Sequence, residues 1–365
     1  MLLSVYIPMQ KLYLLFICFS NTAFAQLAPK SIDSVMVRWG NELVQDTVMR
    51  SLSVGIVSAK GQWAYHFGPD KPGSQSVYEI GSVTKTFTSF VLAMAVREGK
   101  CNWQDDVRKY LPESFPLMEY GGQPVKLIHL ANTSTALPDN LPGNTVQTFL
   151  DTLQKIRPDT IPGTRVRHSN VAARLLVLVL QQIYAKPIAK LIQERILIPL
   201  GMQDTHFAEM NPSAQMPGFD ANGKAAAVLR DSIWNGVGAM RSTVGDMMRY
   251  MQMLLTQQNA DARTVLTPTI AIGAANNTVL NVPVKDTIDA SRYFISLNWL
   301  HYHPSKNSYR IWTDGGTNGF RSYTVFYPDS GIAFVMLSNR TGVQVLDKLY
   351  RLGEKIHDWM MKTEQ

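Results

Sequence analysis

Cysteine is almost absent from this chain of 365 residues, which contains only Cys18 and Cys101. Cys18 lies in an N-terminal segment with one basic residue, a short apolar stretch and an Ala-Phe-Ala sequence before Gln26, which is the pattern of a cleaved secretory signal. The apolar stretch is too short to span a bilayer comfortably. Removal of residues 1–25 leaves Cys101 alone, so an internal disulfide is excluded. We therefore expect a secreted or periplasmic protein without a transmembrane anchor.

A strong charge of either sign is also lacking. The 35 basic and 28 acidic residues give a formal net charge of +7, and no block of basic residues occurs. This diffuse excess suits an anionic cell envelope but indicates no nucleic-acid partner. The sequence has no internal repeat, phosphate loop, dinucleotide fingerprint or Gly-x-Ser-x-Gly elbow. His301 and His303 would share one side of a strand without a third ligand nearby, so we expect no metal and no cofactor.

Strand patterns occur at both ends of the chain, and helical patterns lie between them. Residues 51–59 and 61–68 read as two strands with a tight turn, and four more strand-like segments follow near the C-terminus. These patterns predict an α+β fold with an antiparallel sheet built from both chain ends. We expect residues 26–99 and 285–365 to form a sheet domain with flanking helices, and residues 100–284 to form a mainly helical insertion. A ligand cleft is expected between the two parts.

Ser82 and Lys85 stand at the start of the first core helix. Residues three apart lie on one helix face, so Lys85 can approach the Ser82 hydroxyl. The free N–H groups and positive dipole end of a helix N-terminus favour a developing oxyanion. A partly buried lysine has its charged form disfavoured, which makes it a possible proton acceptor. The alternative is an N-cap serine with a solvated lysine, and a lone Ser-x-x-Lys motif does not decide between the two.

Two later stretches carry further chemistry. In "TRVRHSN" (164–170), a histidine directly precedes Ser169 and Asn170, which are placed to cap a buried helix. In "WTDGGTNGFRSY" (312–323), a strand runs into a glycine-rich turn and out into a second strand. The glycines would let a substrate backbone lie close to the strand edge.

Taken in order, these stretches resemble the three signatures of the serine β-lactamase and penicillin-binding protein superfamily, particularly its class C β-lactamase-related branch. That branch includes D-alanyl-D-alanine carboxypeptidases and β-lactamase-like esterases. The resemblance covers roughly residues 30–360. The matching positions are Ser82 and Lys85, then His168 and Asn170, then Thr313, Asp314 and Gly315.

The resemblance implies a β-lactamase/transpeptidase-like fold and a covalent route. Ser82 would attack a carbonyl and be acylated, and water would later release the acyl group. Lys85 would hold or shuttle the serine proton, and Asn170 would bridge Lys85 and the substrate amide. The backbone N–H groups of Ser82 and Gly316 would form the oxyanion hole, while Gly315 keeps the strand edge open.

The chain departs from the family pattern at two positions. His168 stands where the family usually has tyrosine; histidine's ordinary pKa of about 6.5 suits a general base, but its tip stops ~1.5 Å short of a phenol oxygen. Thr313 stands where lysine or histidine is usual, and Asp314 beside it adds a negative charge. Recognition of a substrate carboxylate would then fall to another cation, with Arg321 and Arg310 as candidates.

The sequence thus predicts an exported serine hydrolase that forms an acyl-enzyme on Ser82. The expected substrate is a small molecule or peptidoglycan peptide with an amide or ester, such as a cell-wall D-amino-acid peptide or a β-lactam. Two alternatives stay open: a β-lactamase-like carboxylesterase, and a binding module for envelope peptides with little or no turnover. Nothing in the sequence indicates the oligomeric state.

Overall fold

The computed structural model describes residues 30–363 except 113, 144, 208–213, 258, 273–291 and 304–308. The predicted signal segment lies outside the described residues. The helices are α1 Lys30–Gln45, α2 Thr84–Arg97, α3 Leu127–Ala131, α4 Val146–Leu153, α5 Asn170–Tyr184, α6 Ile188–Ile192, α7 Val244–Thr256, α8 Ala260–Val265 and α9 Val343–Thr363. The strands are β1 Leu52–Ser58, β2 Gly61–Phe67, β3 Tyr78–Glu79, β4 Glu119–Tyr120, β5 Gln123–Pro124, β6 Gly218–Phe219, β7 Ala225–Ala226, β8 Arg241–Ser242, β9 Ile270–Ala271, β10 Tyr293–Ile295, β11 Leu300–Tyr302, β12 Arg310–Gly316, β13 Arg321–Tyr327 and β14 Ile332–Ser338.

Eight of these strands form one sheet that joins the two ends of the chain. Their order is β2-β1-β14-β13-β12-β11-β10-β9, and each neighbouring pair is antiparallel. The N-terminal strand β1 pairs along its whole length with the last strand, from Leu52 opposite Ser338 to Ser58 opposite Ile332. The predicted fold class is therefore confirmed.

Both faces of the sheet are covered, because successive side chains of a strand point to opposite faces. In β14, Phe334 and Met336 belong to a core shared with α1 and α9, whereas Val335 and Leu337 belong to a second core shared with α2, α5 and α7. This explains why β14 reads as a continuous apolar run. Each such side chain contributes roughly 1.5–3 kcal/mol when fully buried.

The second core holds α2 in the middle of the molecule. The helix is preceded by a 3₁₀ turn, Gly81–Val83, and its side chains Phe87, Phe90 and Val91 are buried against neighbouring helices. Ser169 is the N-cap of α5, a helix that packs against α2, and the Ser169 Oγ accepts a hydrogen bond from the backbone N–H of Ala172 at 3.0 Å. The predicted N-cap is thus present, and it directs the preceding residue towards the start of α2.

The predicted division into a sheet domain and a helical insertion stays a prediction, because its boundary at residue 285 lies outside the described residues. Within the predicted insertion, α7 packs against β1 and β14, and β9 is the last strand of the sheet. No single described helix is long and apolar enough to cross a membrane. One pair of helical segments, Asn170–Tyr184 and Ile188–Leu197, has sufficient length and apolar character only when taken together, and it is bent by 75°.

Candidate active site

Two glycines allow β12 to lie directly against the start of α2. A Cβ atom added to Gly315 would be 2.1 Å from the Ile80 carbonyl oxygen and 2.8 Å from the Ser82 nitrogen. Gly81 has a φ of +53°, and a Cβ there would be 2.4 Å from the Gly316 nitrogen. Only residues without a side chain permit this approach. The contact brings the backbone nitrogens of Ser82 and Gly316 into one small region.

The Ser82 and Lys85 side chains meet at the base of this region. Lys85 Nζ donates to Ser82 Oγ at 2.7 Å and to the Val237 carbonyl oxygen at 3.1 Å. Lys85 is only 3% exposed. Burial lowers the pKa of Lys85 to about 7, although the charges of Asp139 and Asp314 partly oppose this shift. A neutral form able to accept a proton is therefore well populated near neutral pH.

His168 contacts a carboxylate that the sequence analysis did not single out. Its Nδ1 lies 2.7 Å from Asp139 Oδ1, and the same oxygen accepts the backbone N–H of Asn170 at 3.2 Å. Burial raises the pKa of Asp139, but the hydrogen bond and charge of His168, the Asn170 N–H and the charge of Lys85 outweigh it, so the net pKa is lowered. Asp139 is therefore an ionised carboxylate beside the imidazole.

Asn170 differs from its expected arrangement. Its side-chain amide donates to Asn140 Oδ1 at 3.0 Å, whereas Lys85 bonds to Ser82 and Val237. The expected direct contact between Asn170 and Lys85 is absent among the described contacts. The reason is local, because the loop that carries Asn140 lies against the N-terminus of α5 and Asn140 accepts the hydrogen bond of the Asn170 side-chain amide.

Successive side chains of β12 point to opposite faces of the sheet, which separates Asp314 from Thr313 and Gly315. Thr313, 8% exposed, lies on the same face as Gly315, towards α2, and its carbonyl oxygen accepts from Thr324 Oγ1 at 3.2 Å. Asp314 points to the opposite face, where its Oδ2 accepts the Tyr350 hydroxyl of α9 at 2.9 Å. Burial raises the pKa of Asp314, and the Tyr350 hydrogen bond partly opposes this. The Asp314 carboxyl therefore lies under α9 instead of beside Thr313.

The two candidate cations are placed differently. The Arg321 guanidinium lies over Gly316, where an added Cβ would be 2.4 Å from its Nη1, and Arg321 lines the cavity next to Ser82. Arg310 instead forms an ion pair with Glu354 of α9, and its guanidinium carbon is 5.3 Å from the centre of the Trp312 ring. Of the two, Arg321 is the cation at the site.

A cavity of about 490 Å³ is lined by all eight residues that the family resemblance assigned to the site, and by others that it did not assign. Among the latter are Asp139, Thr133, Asn298 and Arg167. Arg167 is anchored by an ion pair with Asp159 at 2.7 Å, so it supports the segment before His168. Asp139 lies 29 residues before its partner histidine, and no spacing rule connects them.

The two histidines considered for metal binding differ in exposure, since His303 is exposed after the end of β11 and His301 lies inside the sheet. His301 is fully buried; its Nδ1 lies 2.6 Å from the Tyr309 hydroxyl and its Nε2 lies 2.8 Å from Ser296 Oγ. Burial lowers the pKa of His301 to about 3, so the ring is neutral. His301 is thus not on an exposed strand face. Across the described parts of the chain, no group of three or more His, Cys, Asp or Glu residues is arranged to hold a metal ion.

Comparison with known proteins agrees with this geometry. The sequence model of the Beta-lactamase family matches residues 38–355. The chain belongs to the Beta-lactamase family. It is 26% identical over 337 residues to the D-alanyl-D-alanine-carboxypeptidase/endopeptidase AmpH of Escherichia coli strain K12, covering 85% of each chain. It is 25% identical over 375 residues to a Beta-lactamase of Providencia stuartii, covering 92% of this chain and 94% of the relative.

Solved structures show the same fold. A Beta-lactamase/D-alanine carboxypeptidase from Yersinia pestis, complexed with citrate, superposes with a TM-score of 0.74 at 20% identity and covers 90% of this chain and 99% of its own. A class C beta-lactamase superposes with a TM-score of 0.73 at 19% identity, with 90% and 98% covered. The predicted family is therefore confirmed, and the protein has the fold of the serine hydrolases of this family.

Proposed function

We propose that this protein is an exported serine hydrolase that forms an acyl-enzyme on Ser82 and acts on a cell-wall D-amino-acid peptide. The observation that carries the proposal is the buried Lys85 amine, 2.7 Å from Ser82 Oγ. A lysine whose pKa burial has lowered to about 7 is a proton acceptor at neutral pH. Export is supported by the signal-like pattern of residues 1–25.

The acylation step follows from this pair. Neutral Lys85 takes the hydroxyl proton of Ser82 as Oγ attacks the substrate carbonyl. The negative charge on the carbonyl oxygen is stabilised by the backbone N–H groups of Ser82 and Gly316, which the glycine contact holds together. The leaving amine receives the proton from Lys85, and water later releases the acyl group from Ser82.

The edge of β12 favours an extended substrate. The short strand β11 pairs with β12 only at Arg310, Ile311 and Trp312, so residues 313–316 are not paired on that side by any described strand. A peptide can add to such an edge through main-chain hydrogen bonds. Arg321 lies at the end of this edge and supplies a positive charge for a terminal carboxylate. The names of the AmpH and Yersinia pestis relatives point to the same substrate class.

The test is labelling of the mature chain with a fluorescent penicillin and a fluorophosphonate, followed by assays for D-alanine release from a D-alanyl-D-alanine peptide. Ser82→Ala is expected to abolish labelling and turnover. Ser74→Ala, at an exposed serine outside the cavity, is the matched control and should behave as the wild type. Equal labelling of the wild type and Ser82→Ala would contradict the proposal.

A carboxylesterase is the second candidate, because the uncharged Thr313 occupies the position where the family usually has a cation. The two candidates differ in their dependence on a substrate carboxylate. A neutral acyl ester turned over at least as fast as the D-alanyl peptide would favour the esterase. Tight peptide binding that survives Ser82→Ala, with no product from the wild type, would instead favour a binding module.

A further inference from the structure

The contact between His168 and Asp139 belongs to a closed hydrogen-bond network. Asp139 Oδ1 faces His168 Nδ1 and the backbone N–H of Asn170, while Asp139 Oδ2 accepts from Asn140 Nδ2 at 2.9 Å. The side-chain oxygen Oδ1 of Asn140 in turn accepts a hydrogen bond from the side-chain Nδ2 of Asn170 at 3.0 Å. A carboxylate with several donors around it is held in one orientation. The imidazole that it faces is therefore held as well.

The backbone on both sides of this network is also fixed. Ser169 Oγ donates to the Pro138 carbonyl oxygen at 2.7 Å, and the Val171 N–H donates to the Asp139 carbonyl oxygen at 3.1 Å. Arg167 Nη2 donates to the Leu137 carbonyl oxygen at 2.9 Å. The loop before α4 and the start of α5 are thus held together by several hydrogen bonds.

The position of this pair in the cavity distinguishes it from an ordinary surface ion pair. The side chains of His168 and Asp139 are 44% and 51% exposed, which by itself suggests a weak contact. Both side chains, however, line the cavity that contains Ser82 and Lys85. Their exposed atoms therefore face the space where an acyl group on Ser82 would lie.

The charge of Asp139 decides which ring nitrogen carries the proton. An ionised carboxylate has no hydrogen to donate, so the 2.7 Å contact requires the proton on His168 Nδ1. Neutral His168 then has its lone pair on Nε2, which makes no hydrogen bond to any residue that the structure describes. The other charged side chains at this cavity are Lys85 from α2, Arg167 from the segment before α5 and Arg321 from β13, whereas the Asp314 carboxyl lies on the far side of β12.

We propose that Asp139 is a positioning residue that holds His168 with Nε2 free, and that His168 is the base for deacylation of Ser82. In this step the water oxygen bonds to the acyl carbon and its proton passes to Nε2, while Asp139 stabilises the imidazolium. The bond between the acyl carbon and Ser82 Oγ then breaks, and the imidazolium returns the proton to Oγ, through Lys85 or directly. The proposal rests on the acyl-enzyme chemistry of the preceding section and assigns its second half.

The two halves of the reaction use different bases for a physical reason. In the acyl-enzyme, Ser82 Oγ is an ester oxygen, and the Lys85 amine, 2.7 Å from that oxygen, lies beside the bond that must break. His168 stands across the same cavity with an unoccupied acceptor atom. The imidazole ends short of the position that a phenol oxygen would reach, and a water between the acyl group and Nε2 fills this gap.

The experiment separates acylation from deacylation in Asp139→Asn. Asparagine keeps the shape of the side chain, but its amide can donate to Nδ1 and so favours the wrong tautomer, as the aspartate-to-asparagine change does in serine proteases. The expected result is labelling of Ser82 by fluorescent penicillin within threefold of the wild-type rate, with release of the label slowed about 100-fold or more. Asp151→Asn, at an exposed side chain of α4, is the matched control.

A double-mutant cycle guards against a simple loss of folding. If Asp139 acts through His168, then Asp139→Asn, His168→Gln and the double variant slow deacylation by similar factors. In a His168→Tyr background, Asp139→Asn should cost less than tenfold. Effects of Asp139→Asn and His168→Gln that multiply, or unchanged label release in Asp139→Asn, would overturn the proposal. Absence of any Ser82 labelling in the wild type would instead refute the acyl-enzyme function itself.

Discussion

Replacement of Lys85 by methionine is expected to change how the stability of the fold depends on pH. Burial has lowered the pKa of Lys85 from 10.5 to about 7. Between these two values the unfolded chain binds a proton that the native protein does not bind. The free energy of unfolding of the wild type therefore rises with pH across this window, and Lys85 destabilises the fold most at and below pH 7.

The magnitude follows from the shift. One pKa unit corresponds to 1.36 kcal/mol, so a shift of roughly 3.5 units (10.5 − 7) costs about 5 kcal/mol at low pH. Between pH 8 and 9.5, which lie inside the window, the wild type should gain about 2 kcal/mol from this one group (1.5 × 1.36). Methionine has a similar length and no charge, so Lys85→Met lacks this gain.

The assay is urea denaturation of the wild type and Lys85→Met at several pH values from 7 to 9.5. Loss of the hydrogen bonds to Ser82 and Val237 adds a constant offset to the difference in unfolding free energy between the two proteins. The contributions of other titrating groups cancel in that difference. The stability advantage of Lys85→Met over the wild type should fall by about 2 kcal/mol from pH 8 to 9.5. Lys224→Met, at an exposed side chain, is the control and should give a constant difference. A constant difference for Lys85→Met would refute a lowered pKa.

Three further outcomes are expected. The rate of Ser82 acylation should rise with pH up to about 7 and then level off, because only neutral Lys85 accepts the serine proton; a rate independent of pH between 5.5 and 8 would contradict this. Gly315→Ala should reduce Ser82 labelling about 100-fold or more, since its Cβ would be 2.1 Å from the Ile80 carbonyl oxygen, whereas Gly73→Ala meets nothing within 4 Å and should label normally. Arg321→Gln should raise KM about tenfold for substrates with a free carboxylate and leave neutral esters unchanged, which paired ester and acid substrates would check.

The fold was predictable because its strands follow simple periodicities. The strand pairs at both chain ends and the apolar helix after Ser169 are patterns of neighbouring residues. The strands from the two ends join in one antiparallel sheet, whose apolar faces are then covered by helices. The side on which Asp314 lies was also predictable: side chains alternate along β12, so Asp314 cannot share a face with Thr313 and Gly315. A motif groups these three residues by sequence alone and does not express this two-residue period.

The partner of His168 was not predictable in the same way. Asp139 reaches the histidine only because the loop before α4 folds back over the start of α5, and that path depends on contacts such as the one between Ser169 and Pro138. The orientation of the Asn170 amide depends on the same loop. Contacts between distant segments are determined by tertiary packing, whereas motif spacing reports only neighbours along the chain.

The energetic cost of Lys85 bears on the choice between an enzyme and a binding module. An amine that is buried with two neutral oxygens as its partners, and that loses its proton near pH 7, opposes folding by several kcal/mol. An apolar side chain of similar size would fill the same space without this cost. A module that only binds a ligand gains nothing from a neutral amine 2.7 Å from a serine hydroxyl. An enzyme that must remove the proton from that hydroxyl needs one, and this asymmetry favours catalysis at Ser82.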